Sequence, residues 1–325
     1  LGGAEKMQEK QKELFDQYDV ELLHVRRGRG GLIGETPMGS YDLQICQYSP
    51  KRLEQAFQIK EVLIDSGFRN VDQYVRSREG ELLVYDRYQT SYIMKRHFDG
   101  RECDIRNRQD IRKAAGHLAI LHQSLKAFPI EGYIVKKIQF QQKNRELLRT
   151  RQYIAKKNEK KEFETLFQRY FSLFWDAIRT QKEEIAYIPA ICHGSYHHHH
   201  VILLSNKDAA VIQFENFYAG NQMDDLFYLM RKVLEKNRYE FSCAEMILDA
   251  YQKEKQLENS DFYYLYNLLA YPEKYWKLAN QYMNHRKSFL SPKLTEKLLE
   301  EVALQEKKKY FLSQFRLNYL QNYIY

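Results

Sequence analysis

The chain lacks the marks of several protein classes. Cysteine occurs four times in 325 residues, as Cys46, Cys103, Cys192 and Cys243, far apart and with no CxxC pair. That spacing argues against a disulfide framework or a cysteine-based zinc site and for buried or free thiols in a reducing compartment. No apolar run approaches the roughly 18 residues that span a bilayer. The early stretch Met7-Gln8-Glu9-Lys10-Gln11-Lys12 is charged and has no signal-peptide core, so the expectation is a soluble protein made in the cytoplasm. Internal repeats, low-complexity linkers and long heptad runs are also missing. The net charge of +8 is spread through 51 basic and 43 acidic residues. Interspersed signs make a solvated surface, so neither nucleic acid nor membrane is expected as a partner.

What is present is an ordinary apolar fraction of 44% and an unusual 26 tyrosines, side chains that bury a ring while keeping the hydroxyl hydrogen-bonded. The length suits two lobes around a cleft. The first 18 or so residues, with Met7, Leu14 and Phe15 at helical spacing, read as a short amphipathic helix. Three runs rich in strand formers follow, at 20–27, 31–36 and 40–47, separated by glycines as in an antiparallel meander. Ser49-Pro50 is a helix start and Gly67 a stop. Runs 73–76 and 82–87 read as a hairpin around Glu79-Gly80, and 91–98 as another strand. After Asp99-Gly100 the pattern becomes helical at 108–124, 140–157 and 163–184. Two short β runs at 201–204 and 209–214 interrupt it, and helices resume near Met223. The fold class read from this order is α+β: an N-terminal lobe over 1–99 with a small antiparallel sheet and one helix, then a larger, mainly helical lobe over 100–325.

The segment 193–203 has the framework of a phosphotransferase loop, His-Gly-Asp with Asn five residues on and then an apolar strand. Phosphoryl transfer in such an architecture needs a glycine-rich turn and a strand lysine for the phosphates. It also needs a loop aspartate and asparagine, and a second aspartate on the next hairpin for magnesium. The turn is available at Arg27-Gly28-Arg29-Gly30-Gly31, where Gly28, Gly30 and Gly31 form either a weak phosphate turn or a plain hairpin turn. The other parts are missing. Gln44 stands where the strand lysine belongs, and Lys51 and Lys60 lie on the following helix. Ser195 replaces the loop aspartate and His200 the asparagine; a serine hydroxyl is no base near neutral pH. A nucleophilic Ser195 with a histidine base, and a metal site in the run His197 to His200, are the sharper readings of this loop. Polar loop contacts are the plainer one, and His193 reads as structural. On the hairpin 209–217 the expected metal position holds Gln213, and Glu215 two residues later keeps the only carboxylate.

The chain resembles the spore-coat protein S (CotS) family, within the aminoglycoside phosphotransferase and choline-kinase-like branch of protein-kinase-like folds. The resemblance is carried by 25–30, by Leu118-Ala119-Ile120-Leu121-His122 and by Ile191-Cys192-His193-Gly194. It continues through 225–232 and through Tyr271-Pro272-Glu273-Lys274-Tyr275-Trp276 and on to Asn280. It implies a bilobal kinase-like fold and association with the spore coat of an endospore-forming bacterium. Members with intact motifs look like small-molecule or sugar kinases. This chain departs from them at Gln44, Ser195, His200 and Gln213, whereas Asp225 matches the acidic residue that braces the loop in similar proteins.

The leading expectation is therefore a pseudokinase with no cofactor, acting as a binding or scaffold component in sporulation with spore-coat proteins or a carbohydrate as partner. The alternative is an active, ATP- and magnesium-dependent phosphotransferase using Glu215 and a helix lysine. The rings of Tyr263, Tyr264, Tyr266, Tyr271, Tyr275 and Trp276 could stack on sugar or a partner, but their near-helical spacing favours core packing.

Overall fold

In the computed structural model residues 12–137, 139–179, 186–206, 208–285 and 291–321 are described. The chain forms two compact units, Leu1–Ile134 with Ala190–Ala219, and Val135–Pro189 with Gly220–Tyr325. The first unit thus adds the His-Gly loop and the following hairpin to the N-terminal sheet.

In that unit β1 (His24–Arg27), β2 (Gly31–Thr36) and β3 (Gly39–Ile45) make the expected meander, with Arg27 opposite Leu32 and Gly31 opposite Gln44. The Gly28 N–H donates to the Gly31 carbonyl at 2.9 Å and closes the turn. Gly31 is obligatory, because a Cβ there would lie 2.1 Å from the Leu43 carbonyl oxygen. Helix α1 (Pro50–Asp65) starts as the sequence indicates, with the Ser49 hydroxyl accepting from the Arg52 N–H and proline in the first turn. Its buried stripe is Leu53, Ala56, Ile59 and Leu63, with Lys60 among them.

The sheet order is β1-β2-β3-β6-β4, with β5 also on β6, where β4 is Tyr74–Val75, β5 Leu83–Tyr85 and β6 Ser91–Arg96. This corrects the expected hairpin. The turn at Gly80 exists, its N–H bonded to the Ser77 carbonyl at 2.9 Å. The two strands, however, lie along β6, Tyr74 opposite Lys95 and Leu83 opposite Ile93, rather than against each other. Periodicity reveals a strand but not its partner, and a six-residue strand offers two short ones a better template than either offers the other. On one face of the sheet Leu14, Phe15 and Tyr18 pack with Leu43, Val84 and Met94. The helical turn at 12–15 is the described part of the expected N-terminal helix; Met7 lies outside the described residues.

The same unit carries β7 (Gly100–Glu102), α2 (Arg108–Ser124), β8 (Ala190–Cys192), β9 (Val201–Leu204), β10 (Ala209–Val211) and all but the last residue of β11 (Tyr218–Gly220). Strand β9 lies between β10 and β7. The hairpin is tied to the segment before β4: the Val211 N–H donates to the Asn70 carbonyl at 2.9 Å, and the Asp72 N–H to the Val211 carbonyl at 3.3 Å. The second hairpin strand was expected to reach Phe214 but stops at Val211, because Gln213 takes a left-handed conformation, φ 65 and ψ 53.

The second unit is helical: α3 (Phe140–Ala155), α4 (Glu162–Ile178), α5 (Met223–Lys236), α6 (Phe241–Gln252), α7 (Asn259–Ala270), α8 (Glu273–His285), α9 (Pro292–Ala303) and α10 (Gln305–Tyr319). Its core explains part of the tyrosine count. Tyr275 is sandwiched by Phe167 at 4.6 Å and Phe174 at 4.0 Å, and its hydroxyl donates to the Phe167 carbonyl. Tyr271 stacks on Phe140, and Tyr282 on Phe163 while donating to Glu164. Tyr264, Tyr271 and Tyr275 are buried, and the Trp276 indole donates to Glu146 at 2.7 Å. Core packing therefore accounts for the aromatic run, as its spacing suggested. Asp225 is fully buried in the first turn of α5. No helix among the described residues is long and apolar enough to cross a membrane.

Candidate functional site

The His-Gly loop leaves β8 through Gly194, with φ +80, where a Cβ would stand 2.1 Å from the Asn216 carbonyl oxygen. Only glycine fits both the angle and the approach. His193, fully buried, clasps the loop to the hairpin. Its Nε2 lies 3.0 Å from the Ile212 carbonyl oxygen and its Nδ1 accepts the Ser195 N–H at 3.2 Å. A carbonyl can only accept, so the proton sits on Nε2 and leaves Nδ1 free to accept. Both contacts hold the loop's shape.

The same reasoning decides the Ser195–His200 pair. His200 Nδ1 is 2.8 Å from the Ser195 carbonyl oxygen and 3.2 Å from the Ser195 hydroxyl. The nearer contact requires a proton on Nδ1, so this nitrogen donates and takes no proton from the hydroxyl. Burial also pushes the His200 imidazole pKa down, which keeps it neutral. His200 in the asparagine position closes the loop on itself. The neighbouring rings pair off, His197 with His200 and His198 with His199, each at 3.9 Å between centroids. Burial, reinforced by the other histidines, depresses the His197 pKa to about 3. No group of three or more His, Cys, Asp or Glu suited to a metal occurs among the described residues.

A cavity of about 650 Å³ adjoins this loop, lined among others by Gly30, Gln44, His97, His199, His200 and Gln213. That volume is in the range of small-molecule sites. At its rim Glu102 pairs with both Arg29 of the glycine-rich turn and His199 of the loop, so that arginine is already engaged. Gln44 and Gln213, which the sequence pattern aligns with the strand lysine and the metal aspartate, meet each other: the Gln213 side-chain amide lies 3.5 Å from the Gln44 amide oxygen. Two neutral amides face the cavity where an ammonium and a carboxylate would attract phosphate and metal.

The missing charges lie behind this wall. Glu215 does not line the cavity; it is 1% exposed, within an ionic quartet with Lys60, Asp72 and Lys95. Lys95 Nζ is 2.6 Å from Glu215 Oε1, and Lys60 Nζ is 2.7 Å from Asp72 Oδ1. The cross pairs are longer, Lys60 to Glu215 at 3.5 Å and Lys95 to Asp72 at 3.6 Å. The Tyr74 hydroxyl donates to Glu215 Oε1 at 2.5 Å, and the Lys60 ammonium sits 3.8 Å above the Tyr74 ring. Asp72 Oδ2 accepts the Gln213 N–H at 2.9 Å, pinning the left-handed residue.

Burial alone would raise the Glu215 pKa, but Lys60 and Lys95 outweigh it and hold the carboxyl far below the usual range. Burial opposes the Lys95 charge too, and Glu215 with Asp72 overcomes it, so its pKa is raised. At Lys60 burial wins over Asp72 and Glu215 and the pKa is lowered. Of these partners Asp72, Tyr74 and Lys95 escape a motif search. The available signal was one lysine beside Ile93 and Met94 in a strand. Lys51, by contrast, is exposed.

A magnesium–nucleotide unit does not fit this donor set. It calls for carboxylate oxygens facing the phosphates. Here the carboxylates that line the cavity are each engaged by a cationic or imidazole side chain, Asp42 by His97, Asp99 by Arg26 and His97, and Glu102 by Arg29 and His199, while Gln44 and Gln213 add only neutral amides. Behind the wall Asp72 and Glu215 are neutralised by two lysines.

A strand-rich unit with two helices, α1 and α2, a His-Gly loop clasped to a β-hairpin and a mainly helical second unit define the kinase-like phosphotransferase fold. Solved structures with this fold include an aminoglycoside phosphotransferase from Alicyclobacillus acidocaldarius subsp. acidocaldarius DSM 446, at TM-score 0.83 and 16% identity, covering 95% of this chain and 96% of that one. Spectinomycin phosphotransferase APH(9)-Ia gives TM-score 0.62 at 12% identity over 97% and 98% of the two chains. A choline/ethanolamine kinase family protein from Mesorhizobium loti gives 0.56 at 12% over 96% and 99%. The chain belongs to the YutH family, whose model, described as "Spore coat putative kinase YutH", matches residues 11–315. This is the CotS-like, kinase-like membership that the sequence motifs implied. A comparison with curated proteins gave no match.

Proposed function

We propose that this protein is a catalytically inactive member of its family, a kinase-shaped binding or scaffold component of the spore coat that works without a cofactor. The observation that carries this reading is the fate of Glu215. The carboxylate that a rewired enzyme would need for metal is buried against Lys95 and Lys60, behind a wall of two glutamines. The lysine such an enzyme would borrow from α1, Lys60, is fully buried in the same cluster. Ser195 adds no base, and His200 is occupied as a donor within the loop. The family's spore coat description supports the location, with coat proteins or a carbohydrate as the classes of partner. The reading is tested by incubating purified protein with magnesium–ATP and a panel of aminoglycoside, amino-alcohol and sugar acceptors. No phosphorylated product and no ATP hydrolysis above buffer are expected. Turnover abolished by Gln213→Ala or Ser195→Ala would sink it.

A further inference from the structure

The carboxylates of the cleft wall are already paired with Arg26, Arg29 and imidazoles, and the hairpin behind it is held in one conformation, with Gln213 in the left-handed region and its N–H on Asp72. Something must bring the Asp72 and Glu215 carboxylates together, since two buried like charges repel. We propose that the ammonium groups of Lys95 and Lys60 are built-in cations, doing for this hairpin the bridging and neutralising work that a divalent ion does for carboxylates in a metal-dependent site. This rests on the inactive reading of the cleft and adds how the site dispenses with metal.

Three observations carry it. The stoichiometry closes, with two ammoniums against two carboxylates, all but sealed from solvent at relative side-chain exposures of 0, 3, 5 and 1% for Lys60, Asp72, Lys95 and Glu215. The contacts bridge, because each lysine reaches both carboxylates within 3.6 Å and ties the hairpin residue Glu215 to Asp72 beside β4. The arrangement also reverses the usual polarity of the fold. Active protein kinases pair a strand lysine with a glutamate from the packed helix. Here the helix supplies a lysine, Lys60, the loop end supplies the glutamate, and the strand lysine comes from β6. A lysine delivered by the chain is always present and brings no open coordination position for phosphate. The fold therefore keeps the hairpin posed for recognition without requiring either metal or nucleotide.

The test is thermal unfolding of the full chain in chelator and in millimolar magnesium, calcium or manganese. The wild-type midpoint is expected to be the same in all of them. Lys95→Ala should lower it by about 10 °C in chelator, as loss of one partner of a buried pair does. Divalent cations should restore part of that loss by occupying the vacated position beside Asp72 and Glu215. In Lys95→Ala/Glu215→Gln the restoration should vanish. A wild type stabilised by magnesium alone, or a folded Lys95→Ala chain indifferent to every divalent ion, overturns the proposal. If Lys95→Ala folds in no buffer, Lys95→Met, Glu215→Gln and their double variant decide. The double variant must be more stable than the two single losses sum to, and simple additivity overturns the proposal. Phosphoryl transfer by a wild type whose midpoint ignores magnesium would refute the inactive reading and leave this one standing.

Discussion

Both units bury charge; burial lowers the pKa of a lysine in each, Lys60 and Lys308, but the two buried glutamates shift in opposite directions. In the first, Glu215 is met by Lys95 at 2.6 Å and by the Tyr74 hydroxyl at 2.5 Å, and its pKa is driven down against the effect of burial. In the second, Glu301 is equally buried, but its Oε1 accepts only from the neutral Gln305 amide at 3.1 Å and Lys274 stands 3.8 Å away. There burial prevails and raises the Glu301 pKa, and it lowers that of nearby Lys308, whose ammonium is spent on the Tyr271 carbonyl at 3.0 Å. The residue types match, so geometry makes the difference. A buried charge is held only where a counter-charge reaches it at contact distance. The quartet meets that condition and the second cluster does not, which marks the quartet as an organised device rather than trapped charge.

The largest expected effect breaks the first member of that comparison. Glu215→Gln should cost about 3–5 kcal/mol in urea unfolding at neutral pH, because it strands Lys95 and Lys60 beside a single carboxylate. The wild type should also lose the contribution of Glu215 in acid. A depressed carboxyl pKa gives stability that is complete above the unfolded-state value of 4.5 and fades as pH falls toward the folded one. Glu215→Gln should flatten this limb of the stability–pH curve.

A smaller loss comes from His117, packed at 4.7 Å on Phe68 and held neutral by burial, with a pKa of about 4. Its depressed pKa makes the folded state bind fewer protons than the unfolded chain. Stability should therefore decline by on the order of 2 kcal/mol as pH drops from about 6.5 to 4. A His117→Phe chain should lose that slope, measured by chemical denaturation across the same range. Glu301→Gln should have the opposite sign to Glu215→Gln, being neutral or stabilising by about 1 kcal/mol, since it removes a charge that the fold penalises. The least effect is expected at the cavity rim. Arg29→Ala, which removes an exposed partner of Glu102, should change stability by about 0–1 kcal/mol and less at high salt.

Much of the fold was legible because its signals are local. The Ser49-Pro50 start, the helix over 108–124 and the hairpin at 201–204 each depend on residues close in sequence. The pairing of 73–76 and 82–87 was misread because both strands choose β6, a tertiary choice that alternation does not encode. In the site, the replacements at Gln44, Ser195, His200 and Gln213 were visible as departures from a spaced motif. Lys95 and Asp72 were not. A lysine between Met94 and Arg96 looks solvated until the loop end brings Glu215 within 2.6 Å of it. Glu215 itself was noticed as a carboxylate, but only the structure turns it away from the cavity and into the quartet.

The central claim, that this kinase-like cleft has no use for magnesium–phosphate chemistry, is tested most directly by calorimetric titration of ATP with and without magnesium. The expected result is the same isotherm in both buffers, whether flat or weakly binding, with the nucleotide recovered intact. An ATP affinity that rises with magnesium and falls again in Gln213→Ala would contradict it.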